Sequence, residues 1–326
     1  MLKVSVIVPV LNEESTIYML LDSIYNQTYP RNDIQVIVSD GMSTDSTRQI
    51  VEQFTQENPD IEIRIIDNHK RIIPAGLNRA IENAQGEIIL RLDAHSIPYP
   101  DYIEKCVQAI EAGYGDNVGG IWEIKPGANT WQARAIAQAA AHRLGVGDAR
   151  YRIGGQAKVV DTVPFGAFRK SLVDKIGWFN EQLLTNEDYE YNVRITKSGG
   201  KVWFDPKIRS IYFARAKFKD LARQYWRYGY WKAKMVRRFP ETLRWRQFLP
   251  PLFVCSLLFF FILAWFFPFA RWLLLAEIAI YLGVLVLAGI QVALSQRDWT
   301  MILGIPIAIT IMHLSWGTSF LWSMLH

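Results

Sequence analysis

The sequence predicts an α/β domain with a mainly parallel sheet, followed by a basic amphipathic helix and about three membrane-spanning helices. Three observations carry that expectation. Short β-branched runs alternate with helical stretches from Val4 to Ala112. Three long apolar runs with almost no charge fill the last quarter, and Arg215, Lys217, Lys219, Arg223, Arg227, Lys232, Lys234, Arg237, Arg238, Arg244 and Arg246 crowd the stretch just before them.

The alternation begins with Val4 to Val8, a β-branched strand ending at Pro9, after which Asn12 reads as the cap of a helix running to about Gln27. A second strand, Ile34 to Ser39, ends at Asp40-Gly41, and Asp45 marks the next helix start. Ile61 to Ile66 is strand, Ala75 to Ala84 helix, Glu87 to Asp93 strand, and Pro100 to Ala112 helix. Units of this kind give parallel strands covered by helices, with ligands bound beyond the carboxyl ends of the strands.

The pattern then loosens. Val118 to Ile124 reads as strand and Asn129 to Leu144 as an Ala-rich helix, whereas the glycines and charges of Gly145 to Gln156 predict a mobile loop. Val159 to Val163 returns to strand, and Lys170 to Ile176 forms a short helix. Asn186 opens a further helix through Lys197, which Gly199-Gly200 stops.

Phe248 to Ala270 and Trp299 to His326 carry no Asp, Glu, Lys or Arg, and Trp272 to Gln296 carries only Glu277. Each run exceeds the roughly 20 apolar residues that span a hydrocarbon core. The predicted spans are about 249–270, 272–294 and 300–322, with Trp245, Trp272, Trp299 and Trp322 near their ends as interfacial aromatics. Basic residues concentrate before the first span and only Arg271 follows it, which predicts a multi-pass protein of the inner (cytoplasmic) membrane with its amino-terminal domain in the cytoplasm. The start MLKVSVIVPVLNEE lacks the layout of a signal peptide. Cys106 and Cys255 fall in a helix and a span and so form no disulfide, which suits a reducing compartment. The net charge of +5 is modest, and its concentration beside the membrane favours anionic lipid headgroups over nucleic acid. Glu277 and His313 lie inside predicted spans; the expectation is that Glu277 snorkels to the interface and His313 bonds a neighbouring helix.

Two places carry candidate chemistry. In EIILRLDAH, Asp93 and His95 end a strand and, two residues apart, project to one side, as ligands for a hard cation holding phosphate oxygens would. A strand end with an Asp turn and a solvated His explains the same residues. Arg91 reads as a partner of Asp93 on the other strand face. In TNEDYEYNVR, Glu187 and Asp188 occupy the first turn of a helix, where the dipole keeps a carboxylate ionised as a general base must be. Capping chemistry alone accounts for them equally.

VSVIVPVLNEE, SDGMSTDST, LDAHS, FGAFRKS, GWFNE, TNEDYE and QYWRYG, in this order and spacing, resemble the family 2 inverting glycosyltransferases with the GT-A fold. The DAHS variant, QYWRYG and the membrane tail are similar to the bacterial exopolysaccharide branch that includes succinoglycan glucosyltransferases. The resemblance covers about Leu2 to Lys234. It implies a Rossmann-like GT-A catalytic domain over 1–214, a basic amphipathic juxtamembrane segment over 215–247 and a transmembrane region over 248–326.

The same resemblance implies roles. Pro9, Glu13 and Asp40 surround the nucleotide base, Asp40 bonding uracil or ribose; Asn78, which no motif assigns, reads as a cap or a minor contact to the base. Asp93 and His95 stand where the family has Asp-x-Asp and hold a divalent cation, Mn²⁺ or Mg²⁺, on the diphosphate; the His in place of the second Asp tilts the preference toward Mn²⁺. Asp188 matches the general base and Glu187 its supporting neighbour. Gln224, Arg227 and Tyr228 match Gln-x-x-Arg-Trp with Tyr in the last place, a segment that contacts diphosphate or acceptor at the membrane surface. Phe218, Leu221, Ala222, Tyr225, Gly229 and Val236 follow helical spacing there, with basic residues opposite.

The implied function is membrane-bound, metal-dependent, inverting transfer of one sugar from a nucleotide sugar, UDP-glucose or UDP-galactose, to a polyprenyl-diphosphate-linked saccharide in exopolysaccharide or cell-envelope glycan synthesis. Three spans suit single additions rather than a polymer channel. The loop 145–156 and Trp122 are the expected determinants of sugar identity. Alternatives are a polyprenyl-phosphate sugar synthase, a non-catalytic membrane scaffold with a degenerate transferase fold, and a dinucleotide-dependent oxidoreductase. The last is opposed by VPVLNEE, which stands after the first strand where a G-x-G-x-x-G would lie.

Overall fold

The computed structural model describes residues 1–326, apart from the side chain of Glu241. The chain forms two compact units, Met1–Glu123 with Gly154–Tyr212, and Ile124–Ile153 with Phe213–His326. The segment Ile124–Ile153 therefore groups with the long C-terminal apolar helices rather than with most of the sheet.

In the first unit, β1 (Val4–Val10), β2 (Ile34–Asp40), β3 (Glu62–Asp67) and β4 (Ile88–Arg91) pair in parallel, β1 lying between β2 and β4. Helices α1 (Ile17–Tyr25), α2 (Thr47–Glu57) and α3 (Ile73–Asn83) make the crossovers. The strands are apolar on both faces because helices cover both. Val4, Val6, Val8, Val10, Val36, Val38, Ile88 and Leu90 pack with Ile17, Leu20, Leu21 and Ile24 in one buried core.

The rest of the sheet is antiparallel. It comprises β5 (Ser96–Pro98), β6 (Asn117–Pro126), β7 (Lys158–Val159), β8 (Ala167–Arg169) and β9 (Val202–Ala214). The strand order is β3-β2-β1-β4-β8-β6-β9-β5, with β7 on β9. Helix α4 (Tyr102–Glu111) follows β5. At Gly120 of β6 an added Cβ would lie 1.7 Å from the Ile208 carbonyl oxygen of β9, so only glycine permits this approach.

The alternating half of the sheet follows the predicted elements, with four departures in the chain. Asn12 is not a helix cap: it sits at φ 57°, and its Oδ1 accepts from Thr44 N at 2.8 Å while the helix starts at Ile17. The strand expected over Glu87–Asp93 ends at Arg91, because Asp93 turns the chain and its carbonyl accepts Ser96 N. The Val159–Val163 strand shrinks to β7, and β5, β8 and β9 lie where no strand was expected. The predicted mobile loop 145–156 contains helical turns, α6 (Arg143–Val146) and α7 (Arg150–Ile153).

In the second unit, α5 (Trp131–Ala140) is capped by Thr130, whose Oγ1 accepts Ala133 N at 3.2 Å. Its alanines pack with the apolar face of α13 (Met301–Leu325) in a core that includes Ile305, Ile309 and Met312. Helices α8 (Leu172–Ile176) and α9 (Glu187–Lys197) belong to the first unit; α10 (Phe218–Arg238), α11 (Trp245–Leu263), α12 (Pro268–Gln296) and α13 complete the second. The last three are long and apolar enough to cross a membrane, with mean hydropathies of 1.8, 2.5 and 1.5.

Helix α10 buries Leu221, Tyr225 and Gly229 of the predicted stripe, whereas Phe218, Ala222 and Val236 are half-buried and Ala233 and Met235, outside it, are buried. Lys232 departs from it: it is buried rather than on the basic face, and its ammonium donates to the Thr242 carbonyl at 3.1 Å. Glu277 does not snorkel; it accepts a hydrogen bond from Ser256 on α11. His313 bonds its neighbours as expected, Nδ1 lying 3.0 Å from Tyr281 Oη and Nε2 2.9 Å from the Leu144 carbonyl. Together with the Arg246–Asp148 pair at 2.5 Å, that contact ties the segment 141–153 down.

Candidate active site

The parallel register aligns Val10 with Asp40 and Asp40 with Asp67 at the carboxyl edge of the sheet, and Arg91, which ends the shorter β4, lies opposite Ile7 of β1, three residues before that edge. Open α/β sheets bind ligands at this edge.

Asp40 ends β2 with its carboxylate almost fully buried. Oδ1 accepts from Ser43 Oγ at 2.5 Å, the Ser43 amide lies 3.2 Å from both oxygens, and Oδ2 accepts from Arg48 Nη1 at 2.9 Å. The same Arg48 nitrogen pairs with Asp67 at 2.7 Å. Arg48, which no motif singled out, thus braces two strand ends. Pro9 lies half-buried in β1 opposite Ser39.

Glu13 follows β1, and its Oε2 accepts from Thr16 Oγ1 at 2.7 Å. Its Oε1 is 3.9 Å from His95 Nδ1. Burial raises the Glu13 pKa, but the neighbouring His95 and the hydrogen bond from Thr16 outweigh it and hold the carboxyl below the usual range. Asn78 departs from the expectation of a base contact, because its amide is consumed elsewhere: Oδ1 accepts Phe179 N at 2.9 Å, and Nδ2 donates to Phe179 O and to Glu181 at 3.0 and 3.2 Å. It fastens the GWFNE segment to α3.

Arg91 is the largest correction. Two residues from Asp93, it shares that residue's side of the chain instead of lying on the other face. Its Nε is 3.1 Å from Asp93 Oδ1 and its Nη1 is 2.9 Å from Glu187 Oε1. Burial opposes the guanidinium charge, yet Asp93, Glu187 and Asp188 drive its pKa upward. One cation therefore gathers the β4 end and the start of α9, residues 96 apart in sequence. The two-residue period of a strand was the signal that could have found it.

At the start of α9, Glu187 is buried and Asp188 partly exposed, with Asp188 Oδ1 accepting Tyr189 N at 2.7 Å. The helix dipole predicts low pKa values here. Burial wins instead: it raises both carboxyls despite Arg91, with repulsion from Asp188 and Asp93 adding to the rise at Glu187 and repulsion from Asp93 adding at Asp188. A carboxylate raised in this way is a stronger base than a solvated one.

His95 lies edge-on to Tyr212, ring centroids 5.8 Å apart, and Tyr212 stacks on Trp122 at 4.1 Å and 4°. An aromatic wall thus flanks the Asp93–His95 turn. Among the described residues no cluster of three or more His, Cys, Asp or Glu is arranged to hold a metal ion. The donor set still fits a cation that keeps most of its ligands from a diphosphate, which needs only one or two protein oxygens. Asp93 offers one, since Arg91 engages Oδ1 and the side chain is 25% exposed. His95, turned toward Glu13, would be the weaker second ligand.

Gln224, Arg227 and Tyr228 lie on α10 in the second unit, where Gln224 Nε2 donates to Tyr228 Oη at 2.9 Å.

The family model of glycosyl transferase family 2 matches residues 5–177. The chain is 31% identical over 317 residues to the succinoglycan biosynthesis protein ExoA of Rhizobium meliloti, covering 97% of this chain and 93% of the other. It is 24% identical over 327 residues to the dolichyl N-acetyl-alpha-D-glucosaminyl phosphate 3-beta-D-2,3-diacetamido-2,3-dideoxy-beta-D-glucuronosyltransferase of Methanococcus voltae, covering 95% and 93%. Among solved structures, the mannosyltransferase PcManGT of Pyrobaculum calidifontis, in complex with GDP-Man and Mn²⁺, superposes with a TM-score of 0.62 at 21% identity, over 96% of this chain and 87% of that one. TarS 1-349 of S. aureus in complex with UDP does so at 0.51 and 19%, over 70% and 65%. The fold shared with these two structures is GT-A.

Proposed function

This chain belongs to glycosyl transferase family 2, and we propose that it moves one sugar from a nucleotide sugar to a polyprenyl-diphosphate-linked saccharide, inverting the anomeric centre. It is a glycosyltransferase of the GT-A fold with helices able to cross a membrane. The proposal adds UDP-glucose or UDP-galactose as donor, exopolysaccharide or envelope glycan synthesis as the setting, and the cytoplasmic face of the inner membrane as the place.

The observation that carries it is the Arg91-centred cluster, in which a candidate cation ligand, Asp93, and a candidate base pair, Glu187 and Asp188, share one guanidinium. Asp188 takes the proton from an acceptor hydroxyl. The freed oxygen attacks the anomeric carbon as the bond to the diphosphate breaks on the opposite side, so an α-linked donor gives a β-linked product. Glu187, held by Arg91, positions its neighbour. Asp93, with His95 beside it, would hold the divalent cation, Mn²⁺ or Mg²⁺, which neutralises the charge of the leaving diphosphate when bound. Pro9, Glu13 and Asp40 are assigned to the nucleoside, and Trp122 with Tyr212 offers an aromatic face for a sugar ring. Gln224, Arg227 and Tyr228 are assigned to diphosphate or acceptor by the motif they match.

The acceptor class follows from the membrane helices, since a lipid-linked substrate and a membrane-held enzyme meet in one plane. The Methanococcus voltae relative carries a dolichyl phosphate-linked sugar in its name. Anionic lipids are the expected companions of the exposed basic residues of α10.

The test is a screen of nucleotide sugars against membrane extracts containing lipid-linked oligosaccharides, read by mass spectrometry. A gain of one hexose supports the reading, and a ladder of many hexoses or no transfer from any donor overturns it.

A further inference from the structure

We propose that Arg91 is a positioning residue shared by the two halves of the reaction. Its Nε fixes Asp93 so that the second carboxylate oxygen stays available to the donor's cation, while its Nη1 fixes Glu187 beside the base. The inference rests on reading Asp93 as cation ligand and Asp188 as base.

The arrangement is built rather than incidental. Arg91 is the last residue of β4, held in register opposite Ile7, with its amide donating to the Gly166 carbonyl at 3.1 Å. Its side chain is 10% exposed and that of Glu187 6% exposed. A buried guanidinium survives only where carboxylates compensate it, and the reverse holds for Glu187. The planar fork of arginine can face two carboxylates from fixed directions, which the point charge of lysine cannot. Asp93 makes its pair through Oδ1 alone, at 3.1 Å. That contact sets the carboxylate plane, as the outer partners of metal-ligating side chains do. Asp93 and Glu187 lie 94 residues apart in sequence; Tyr191 of α9 packs on Phe168 of β8, the neighbour of β4, and Arg91 adds the direct ionic link between the two acids.

Arg91→Met, Arg91→Lys, Glu187→Gln and the double variant Arg91→Met/Glu187→Gln separate this role from simple support. The measurements are calorimetric UDP binding with and without Mn²⁺, thermal melting, and kcat and KM on full-length chain in detergent. Arg91→Met is expected to weaken Mn²⁺-dependent UDP binding about 10–100-fold while leaving metal-free UDP binding unchanged. Arg91→Lys recovers part of that loss. Glu187→Gln lowers kcat with Mn²⁺–UDP affinity unchanged. The double variant, with neither charge left uncompensated, melts closer to wild type than Arg91→Met and keeps the binding defect. Its kcat loss is smaller than the product of the single losses, because both changes remove one contact.

Mn²⁺–UDP affinity within twofold of wild type in Arg91→Met, or in the double variant where the single one unfolds, overturns the proposal, as does a multiplicative kcat loss. A wild-type chain whose UDP binding ignores Mn²⁺ and Mg²⁺, or an Asp188→Asn variant that still turns over, defeats the underlying reading instead.

Discussion

Replacing Arg48 by methionine tests how the nucleoside end of the site is held. The change removes two ion pairs made by one nitrogen, to Asp40 at 2.9 Å and to Asp67 at 2.7 Å. The two are not equal. Asp67 is 43% exposed, so its pair contributes about 0–1 kcal/mol. Asp40 is 1% exposed and keeps the Ser43 amide and hydroxyl, so it loses one charge-assisted hydrogen bond of about 1.5–3 kcal/mol rather than all its partners. Together these give about 1.5–4 kcal/mol, which in a unit of roughly 180 residues lowers the melting temperature by about 3–16 °C. Asp67→Asn, the control, costs under about 1 kcal/mol. The pH dependence has a definite sign. Arg48's hydrogen bond lowers the folded pKa of Asp67, so this stabilisation is complete above the unfolded value of about 4 and disappears as pH falls through the folded pKa. Arg48→Met lacks that acid-side loss. Melting of the full chain in detergent, with amide hydrogen exchange across β2 and α2, reads both effects. A variant melting within 2 °C of wild type, or one no worse than Asp67→Asn, would refute the reasoning.

Other perturbations probe other parts. Gly120→Ala places a Cβ 1.7 Å from the Ile208 carbonyl and is expected to cost about 3 kcal/mol, the upper end for overpacking, seen as a melting drop of about 6–12 °C; an unchanged melt contradicts the close approach of β6 and β9. Burial pushes the Cys106 thiol well up, so alkylation at pH 8 should modify Cys106 only after unfolding, as peptide mass spectrometry can check. His313→Phe removes the bonds to Tyr281 and to the Leu144 carbonyl, and limited proteolysis should cut within 141–153 several times faster; wild-type cleavage rates would show that the segment is held by other contacts.

Local pattern revealed the parallel half of the fold and the membrane helices, because each is written in short-range periodicity. The strands β8 and β9 escaped it. Ala167–Arg169 is three residues long, and Val202–Ala214 is interrupted by Pro206, so neither shows a clean alternation; pairing with distant strands makes them. The acidic residues of the candidate site are legible as strand-end and helix-start motifs. The sequence also pairs Arg91 with Asp93, but only the fold brings Glu187 to it. Asn78 differs for the converse reason: nothing near it in sequence signals its partner, and the backbone of Phe179, 101 residues away, claims its amide. The loop 145–156 was misjudged because its anchors, Arg246 and His313, lie about a hundred residues or more away in sequence.

The most direct measurement is the anomeric configuration of the product made by purified full-length protein from an α-linked UDP-sugar and a polyprenyl-diphosphate saccharide, compared between wild type and Asp188→Asn. A single β-linked sugar, requiring Mn²⁺ or Mg²⁺ and made about 10²–10⁴-fold more slowly by Asp188→Asn while UDP still binds, is the predicted result. An α-linked product, or undiminished turnover in that variant, would contradict it.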